Sequence, residues 1–165
     1  NPDNRMARPR VDAENLLLKG APEINCDLVI LRVPGIYGPG RLGIERISAG
    51  DAFLKETDTN PGNRIHVDDL VDCCLAALSE ETPAGIYNVG DGDHRSSTWF
   101  AEEVARQADL PDPRKISRAE AALEFSPMRL AFLASSRRVD TTKMREVLGV
   151  APRTPEQGIR DSLGL

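Results

Sequence analysis

Apolar residues recur along the chain in two periods. Leu28, Val29, Ile30 and Leu31 form an unbroken run bounded by Asp27 and Arg32. A run apolar on both faces is what a buried parallel strand requires. Shorter strand-like runs follow at Arg64-Ile65-His66-Val67 and at Ile86-Tyr87-Asn88-Val89, the second closed by Gly90-Asp91-Gly92-Asp93. Between them Leu70, Val71, Cys74, Leu75 and Leu78 repeat at helical spacing, which predicts a helix to about residue 79 with Asp68 as its N-cap. Phe100, Ala101, Val104 and Ala105 mark one face of a second helix over 98–108.

Punctuation residues supply the remaining elements. A helix over 9–19 opens at Pro9 and stops at Gly20, and a short one is expected over 44–47. Residues 117–135 read as helical and then irregular, and Asp140 caps a helix ending at Leu148-Gly149. Thr154-Pro155-Glu156-Gln157 is a capping box with proline at the first helical position. The stretch Pro34-Gly35-Ile36-Tyr37-Gly38-Pro39-Gly40-Arg41 reads as a loop. The sum is a mixed α/β chain forming one domain over 1–165, yet one long strand and several short ones do not complete a doubly wound sheet. The run at 28–31 needs neighbours, and without them its edge and the helix at 9–19 favour self-association. The opening Asn1-Pro2-Asp3-Asn4, with no initiator Met, reads as a start inside a longer protein.

Composition narrows the classes. The 165 residues suffice for one core; 40% are hydrophobic and 28% charged, as in ordinary globular proteins. A net charge of −5 argues against nucleic acid or an anionic membrane surface as partner. Basic residues gather locally at Arg5, Arg8 and Arg10 and at Arg137 and Arg138. No run reaches the ~18–20 apolar residues a membrane helix needs, and no signal peptide is present. Cys26, Cys73 and Cys74 are odd in number and lack C-x-x-C spacing, so they read as free thiols in a reducing cytoplasm, with Cys74 on the apolar helix face. His66 and His94 have no metal-ligand spacing, and no metal is expected.

Three segments carry candidate chemistry. Past the C-terminal end of a buried strand, where open α/β sheets bind ligands, Tyr37 offers a hydroxyl and Arg41 a fixed cation. In Arg64-Ile65-His66-Val67-Asp68-Asp69, a short strand delivers His66 beside a helix N-terminus. Arg137 and Arg138 form a guanidinium pair suited to phosphate or carboxylate. Each has a structural reading beside the functional one: a tight turn with a packed tyrosine, a capping aspartate with a structural histidine, and two solvated arginines.

Together, "LRVPGIYGPGR", "NRIHVDDLVDCCLAAL", "GIYNVGDGD" and "RRVDTTKMREVLGVAPRTPEQGIRDSL" resemble the C-terminal half of the extended short-chain dehydrogenase/reductases, in the atypical branch of the NAD-dependent epimerase/dehydratase-like group. The resemblance implies the C-terminal part of a Rossmann-like doubly wound fold with a small substrate-binding subdomain, the nucleotide-binding half being absent from this chain. It implies NAD or NADP as cofactor, bound by a parent containing both halves, and a small-molecule substrate. The family's glycine-rich turn does not occur here. Its Tyr-x-x-x-Lys pair falls on Met6 and Arg10, four residues apart and ahead of Glu14; Met6 has no proton to transfer. Gly35 stands where many relatives have Asn. By resemblance, Arg10, Pro34, Gly35 and Ile36 are cofactor-side residues, Tyr37, Arg41, Arg64, His66 and Arg138 substrate-side residues, and His66 and Tyr37 the catalytic candidates. The alternative is a non-catalytic NAD(P)-binding redox sensor or interaction scaffold, which Met6 favours.

Overall fold

The apolar run of the sequence is a strand held along one edge. A computed structural model of the chain describes residues 7–165. Its elements alternate: α1 Arg8–Gly20, β1 Val29–Arg32, β2 Gly35–Tyr37, α2 Ile44–Ser48, β3 Phe53–Leu54, β4 Arg64–His66, α3 Val67–Ala77, β5 Gly85–Asn88, α4 Ser97–Gln107, β6 Lys115–Ile116, α5 Arg118–Glu124, α6 Pro127–Ala134, α7 Thr142–Val147 and α8 Pro155–Leu163. The strands join as parallel pairs, β1 with β5, β2 with β4 and β3 with β6. Parallel neighbours need long crossovers, and each pair is spanned by connections carrying helices. Among the described residues no helix is long and apolar enough to cross a membrane.

Three apolar clusters organise the interior. The first joins Tyr37, Leu42 and Ile47 to Ala101, Val104 and Ala105 of α4 and Ile159 of α8. The second sets Ile65, Cys73, Tyr87 and Val89 against Met144 and Leu148, with Val29, Leu31 and Ile36 packed on it. The third is a small subdomain in which Leu54 and Ile116 of the β3–β6 pair meet Ala121 and Phe125. The capping boxes of α5 and α8 close reciprocally, at Ser117 with Glu120 and at Thr154 with Gln157. Caps of this kind contribute about 1 kcal/mol each.

Several expectations change. Residues 35–37 are not loop but strand β2, because β4, far along the chain, pairs with them in register Gly35↔Arg64, Ile36↔Ile65, Tyr37↔His66. The first α-helix ends at Gly20 as expected, but a 3₁₀ turn over Ala21–Ile24 follows it directly, and left-handed Asn25 (φ 51°) ends that turn. The N-cap of α3 is His66, whose ring accepts from the Asp68 N–H, rather than Asp68. Asp140 does accept from Thr142 N–H at 2.9 Å, but the residue flanking α7 is Thr141.

The face of α3 also differs. Asp69 and Cys73 are buried, while Cys74 is exposed and Val71, Leu75 and Leu78 are 50%, 63% and 80% exposed. The rotation is fixed at the helix start, where Asp69 accepts from Arg153 Nε at 2.9 Å and from Arg153 N–H at 3.1 Å. Burial pushes the Cys73 thiol up to about 11, so it packs as a neutral apolar group. Strand β1 is half-buried rather than fully buried. On α1, Leu16, Leu17 and Leu18 are exposed. Its link to β1 is an exposed bidentate pair, Glu14 with Arg32, whose shortest contact is 2.6 Å. Such pairs orient more than they stabilise.

Two outcomes follow from this packing. The isolated chain is expected to bind a hydrophobic dye and to sediment above monomer mass; a dye-negative monomer would show that α1, α3 and the β1 edge are covered. Gly158→Ala should destabilise by about 1–3 kcal/mol in thermal or denaturant unfolding, as overpacking does. A Cβ at Gly158 would stand 2.8 Å from Tyr37 Cε2.

Candidate functional site

Strand alternation sorts the side chains of the β2–β4 pair. Ile36 and Ile65 enter the second cluster, and Tyr37 enters the first on the opposite face. Tyr37 and His66 are cross-strand partners with ring centroids 5.2 Å apart in an edge-to-face arrangement, and Phe100 completes the group at 5.1 Å from Tyr37. Tyr37 is 3% and His66 1% exposed.

Both rings are therefore internal. The Tyr37 hydroxyl is buried without a hydrogen-bond partner among the described residues, and burial followed by the nearby Asp91 charge holds it well above the ordinary phenol range. His66 Nδ1 accepts from Asp68 N–H at 3.2 Å, so the neutral ring carries its proton on Nε2 and donates to Ser162 Oγ at 3.1 Å. Ser162 in turn donates to the Gly158 carbonyl at 2.5 Å. Burial and the Arg153 charge hold His66 below the ordinary imidazole range. Both ring nitrogens are engaged in tying α3 to α8.

Arg64 lies on the same strand, 7% exposed, with its guanidinium 5.0 Å from the Phe100 ring centroid. It donates to the Arg95 and Ser96 carbonyls and pairs with Asp93 at 3.3 Å. These contacts pin the 91–96 loop to β4. The structure thus brings Tyr37, His66 and Arg64 together, with Gly35 and Ile36 on the same strand pair, but leaves Arg41 and Arg10 elsewhere. Arg41 is exposed on a turn closed by its N–H to the Gly38 carbonyl at 2.9 Å. Arg10 is exposed on α1, and Met6 lies outside the described residues.

The cleft forms between the loop beyond the C-terminal end of β5 and the segment that leads into α7. Gly90 is packed so closely that a Cβ there would sit 3.3 Å from Thr141 Cγ2, 3.4 Å from the Arg64 carbonyl and 3.8 Å from Pro34 Cγ. Pro34 and the 90–93 turn are thereby neighbours. Beside them opens a cleft of about 420 Å³ lined by Gly92, His94, Arg138, Val139, Asp140, Thr141 and Arg145. Asn63 holds its outer wall, donating to the Arg137 carbonyl at 3.0 Å and accepting from Val139 N–H at 2.8 Å. Arg138, between those anchors, is exposed at the cleft. Arg145 donates to the Asp91 carbonyl at 2.6 Å.

His94, Asp91 and Arg145 had no part in the sequence-based site. Gly90-Asp91-Gly92-Asp93 reads as a strand-ending turn, and no local signal shows that it meets residues 138–145. Asp91 Oδ1 accepts from Asp93 N–H at 2.8 Å, while Oδ2 is buried without a partner among the described residues. Burial pushes this carboxyl up to about 6.

No protein-family model matches the chain. A curated relative, 3-diazoavenalumate denitrifying reductase of a Streptomyces species, is 30% identical over 142 residues, covering 82% of this chain and 46% of that protein. A conserved protein of unknown function from Silicibacter pomeroyi matches at 27% identity and a TM-score of 0.86, covering 99% of this chain and 57% of that one. The dTDP-glucose 4,6-dehydratase of Bacillus anthracis, solved with NAD, matches at 15% identity and a TM-score of 0.74, covering 99% and 52%. The chain has the fold of the C-terminal half of an extended short-chain dehydrogenase/reductase. It spans about half the length of these relatives. The mixed α/β reading and the Rossmann-like resemblance of the sequence are thus met by the fold.

The Asp91 carboxyl gives a pH test. Its folded value of about 6 lies above the ordinary 3.8, so the native state holds the proton more tightly than the unfolded chain does. Stability from this group is full below about pH 4 and falls as pH rises towards 6, by roughly 3 kcal/mol in all. Asp91→Asn retains an acceptor for Asp93 N–H and should raise the melting temperature at pH 7–8 while changing little at pH 4. Melting curves at the two pH values check this.

Proposed function

We propose that the chain is the substrate-side part of an NAD(P)-dependent oxidoreductase of the epimerase/dehydratase type, acting on a small molecule. The observation that carries this is the cleft beside Pro34, at the loops that follow parallel strands, where ligands of α/β sheets bind. The dinucleotide-binding half lies outside these residues. In support, the Streptomyces relative is named a reductase and the Bacillus dehydratase was solved with NAD.

The residues at hand fit such a cofactor. Gly35 is exposed and bears no side chain, leaving open backbone beside Pro34, while Ile36 anchors this segment in the second cluster. Pro34 and Gly35 would flank the nicotinamide, and Arg10 would hold ribose or phosphate oxygens. The dinucleotide, NAD or NADP, supplies hydride when bound. Arg138 lines the cleft with no hydrogen bond among the described residues and binds a carboxylate or phosphate of the substrate. Tyr37, His66 and Arg64 support the site from behind: their ring contacts and hydrogen bonds fix β2, α8 and the 91–96 loop. Arg41, on its exposed turn, is a second cation for substrate approach.

One observation favours a non-catalytic sensor or scaffold instead. Tyr37 and His66, the residues first expected to transfer protons, are both buried. Turnover of any carbonyl substrate by the protein with both halves decides against that reading.

Two measurements test the proposal. Fluorescence titration with NADH and NADPH should show no micromolar binding to this chain alone, because the glycine turn and its helix N-terminus are missing. It should show such binding once the dinucleotide half is present. Arg138→Ala should then raise KM for an anionic substrate by about tenfold or more, the scale of a lost charged hydrogen bond, and leave dinucleotide affinity unchanged. Equal KM values would remove Arg138 from the substrate site.

A further inference from the structure

We propose that His94 is the residue that exchanges a proton with the substrate, a small molecule bearing a carboxylate or phosphate, in this cleft. The inference rests on the reading of the cleft as the substrate site and adds the group that acts there. Of the two histidines, His66 has both nitrogens committed inside the core. His94 is held differently. Its Nδ1 lies 3.3 Å from the Gly62 carbonyl and donates to it, while Gly62 N–H donates back to the His94 carbonyl at 3.1 Å.

That pair fixes the ring and its tautomer. With the Nδ1 proton committed to a carbonyl, Nε2 carries the lone pair of the neutral imidazole and has no hydrogen bond among the described residues. His94 lines the cleft together with Arg138 and Arg145. An imidazole oriented through one nitrogen and open at the other is the arrangement a general acid or base requires. The charged groups around it are Asp91 and Asp93 on its own loop, Arg64 on β4, and Arg138, Asp140 and Arg145 across the cleft. Asp93 is committed to Arg95 and Arg64, and Asp140 to the start of α7.

The step balances simply. The arginines hold the substrate's anionic group; the Nε2–H bond of the imidazolium breaks as an O–H bond forms on a substrate carbonyl oxygen. The carbonyl carbon takes hydride from a reduced nicotinamide. The carbonyl is reduced, the nicotinamide oxidised and the imidazole left neutral. A group of this kind supplies what Met6 lacks.

The test uses the protein with both halves, and benzoate and inorganic phosphate as probes. The Cε1–H resonance of His94, assigned by its loss in His94→Gln, is followed through a pH titration. Benzoate does not titrate near neutral pH, so it is the decisive arm. It should move the His94 resonance and raise its midpoint, leave that of His66 in place, and bind up to about tenfold tighter as His94 protonates. Stronger effects with phosphate would assign the natural anion to that class. His94→Gln should flatten the pH dependence of benzoate binding, with its melting temperature and NADPH affinity retained. A His94 resonance unmoved by both probes, or a pH dependence that survives His94→Gln, overturns the proposal while NADPH binding persists. Failure to bind either dinucleotide overturns the functional reading beneath it.

Discussion

The parallel pairing of β2 with β4 is the constraint on which the rest of the molecule depends. Its register, Tyr37 opposite His66 and Ile36 opposite Ile65, sends alternate residues to opposite faces. One face completes the cluster under β1 and β5; the other receives α4 and α8. A shift of one residue would exchange these sets, placing Ile65 against Ser162 and His66 among aliphatic side chains. The polar groups would then be buried without partners, at a cost of about 1–3 kcal/mol each.

The same pairing sets the cleft. Arg64 begins β4 and spends its guanidinium on the carbonyls that follow β5, so the 91–96 loop is held to this strand rather than left to solvent. Asn63, one residue earlier, fastens residues 137–139 by both ends of its amide. Two adjacent residues thus fix both walls between which His94, Arg138 and Arg145 meet. The buried Asp91 carboxyl keeps one oxygen without a partner among the described residues, and Tyr37 feels its charge.

Elsewhere the chain presents apolar surface outward. Leu16 to Leu18 on α1 and the Val71, Leu75 and Leu78 stripe on α3 lie on the helices that precede the paired strands β1 and β5, and β1 is paired along a single edge among the described residues. The chain spans about half the length of its relatives, and β1 is half-buried. In a complete doubly wound sheet a central strand has neighbours on both edges and helices over its faces.

The sequence by itself determined the elements whose signals are local. The run at 28–31, the capping box at Thr154, the α4 face at Phe100, Ala101, Val104 and Ala105, and the family likeness were all legible because propensity, capping and period act within a few residues. Only the tertiary structure decided that residues 35–37 are a strand, since their partner lies at 64–66 and pairing across that distance leaves no local mark. It decided which face of α3 is buried: Asp69, paired with Arg153, and Cys73 turn inward, a contact with a residue more than eighty positions away that leaves no local mark. It also placed the histidines. His66 and His94 look alike in sequence, each beside acidic residues, but a helix start and a buried hydroxyl enclose one while a backbone carbonyl turns the other to the cleft. Which nitrogen of an imidazole is free depends on long-range contacts, and no sequence period encodes them.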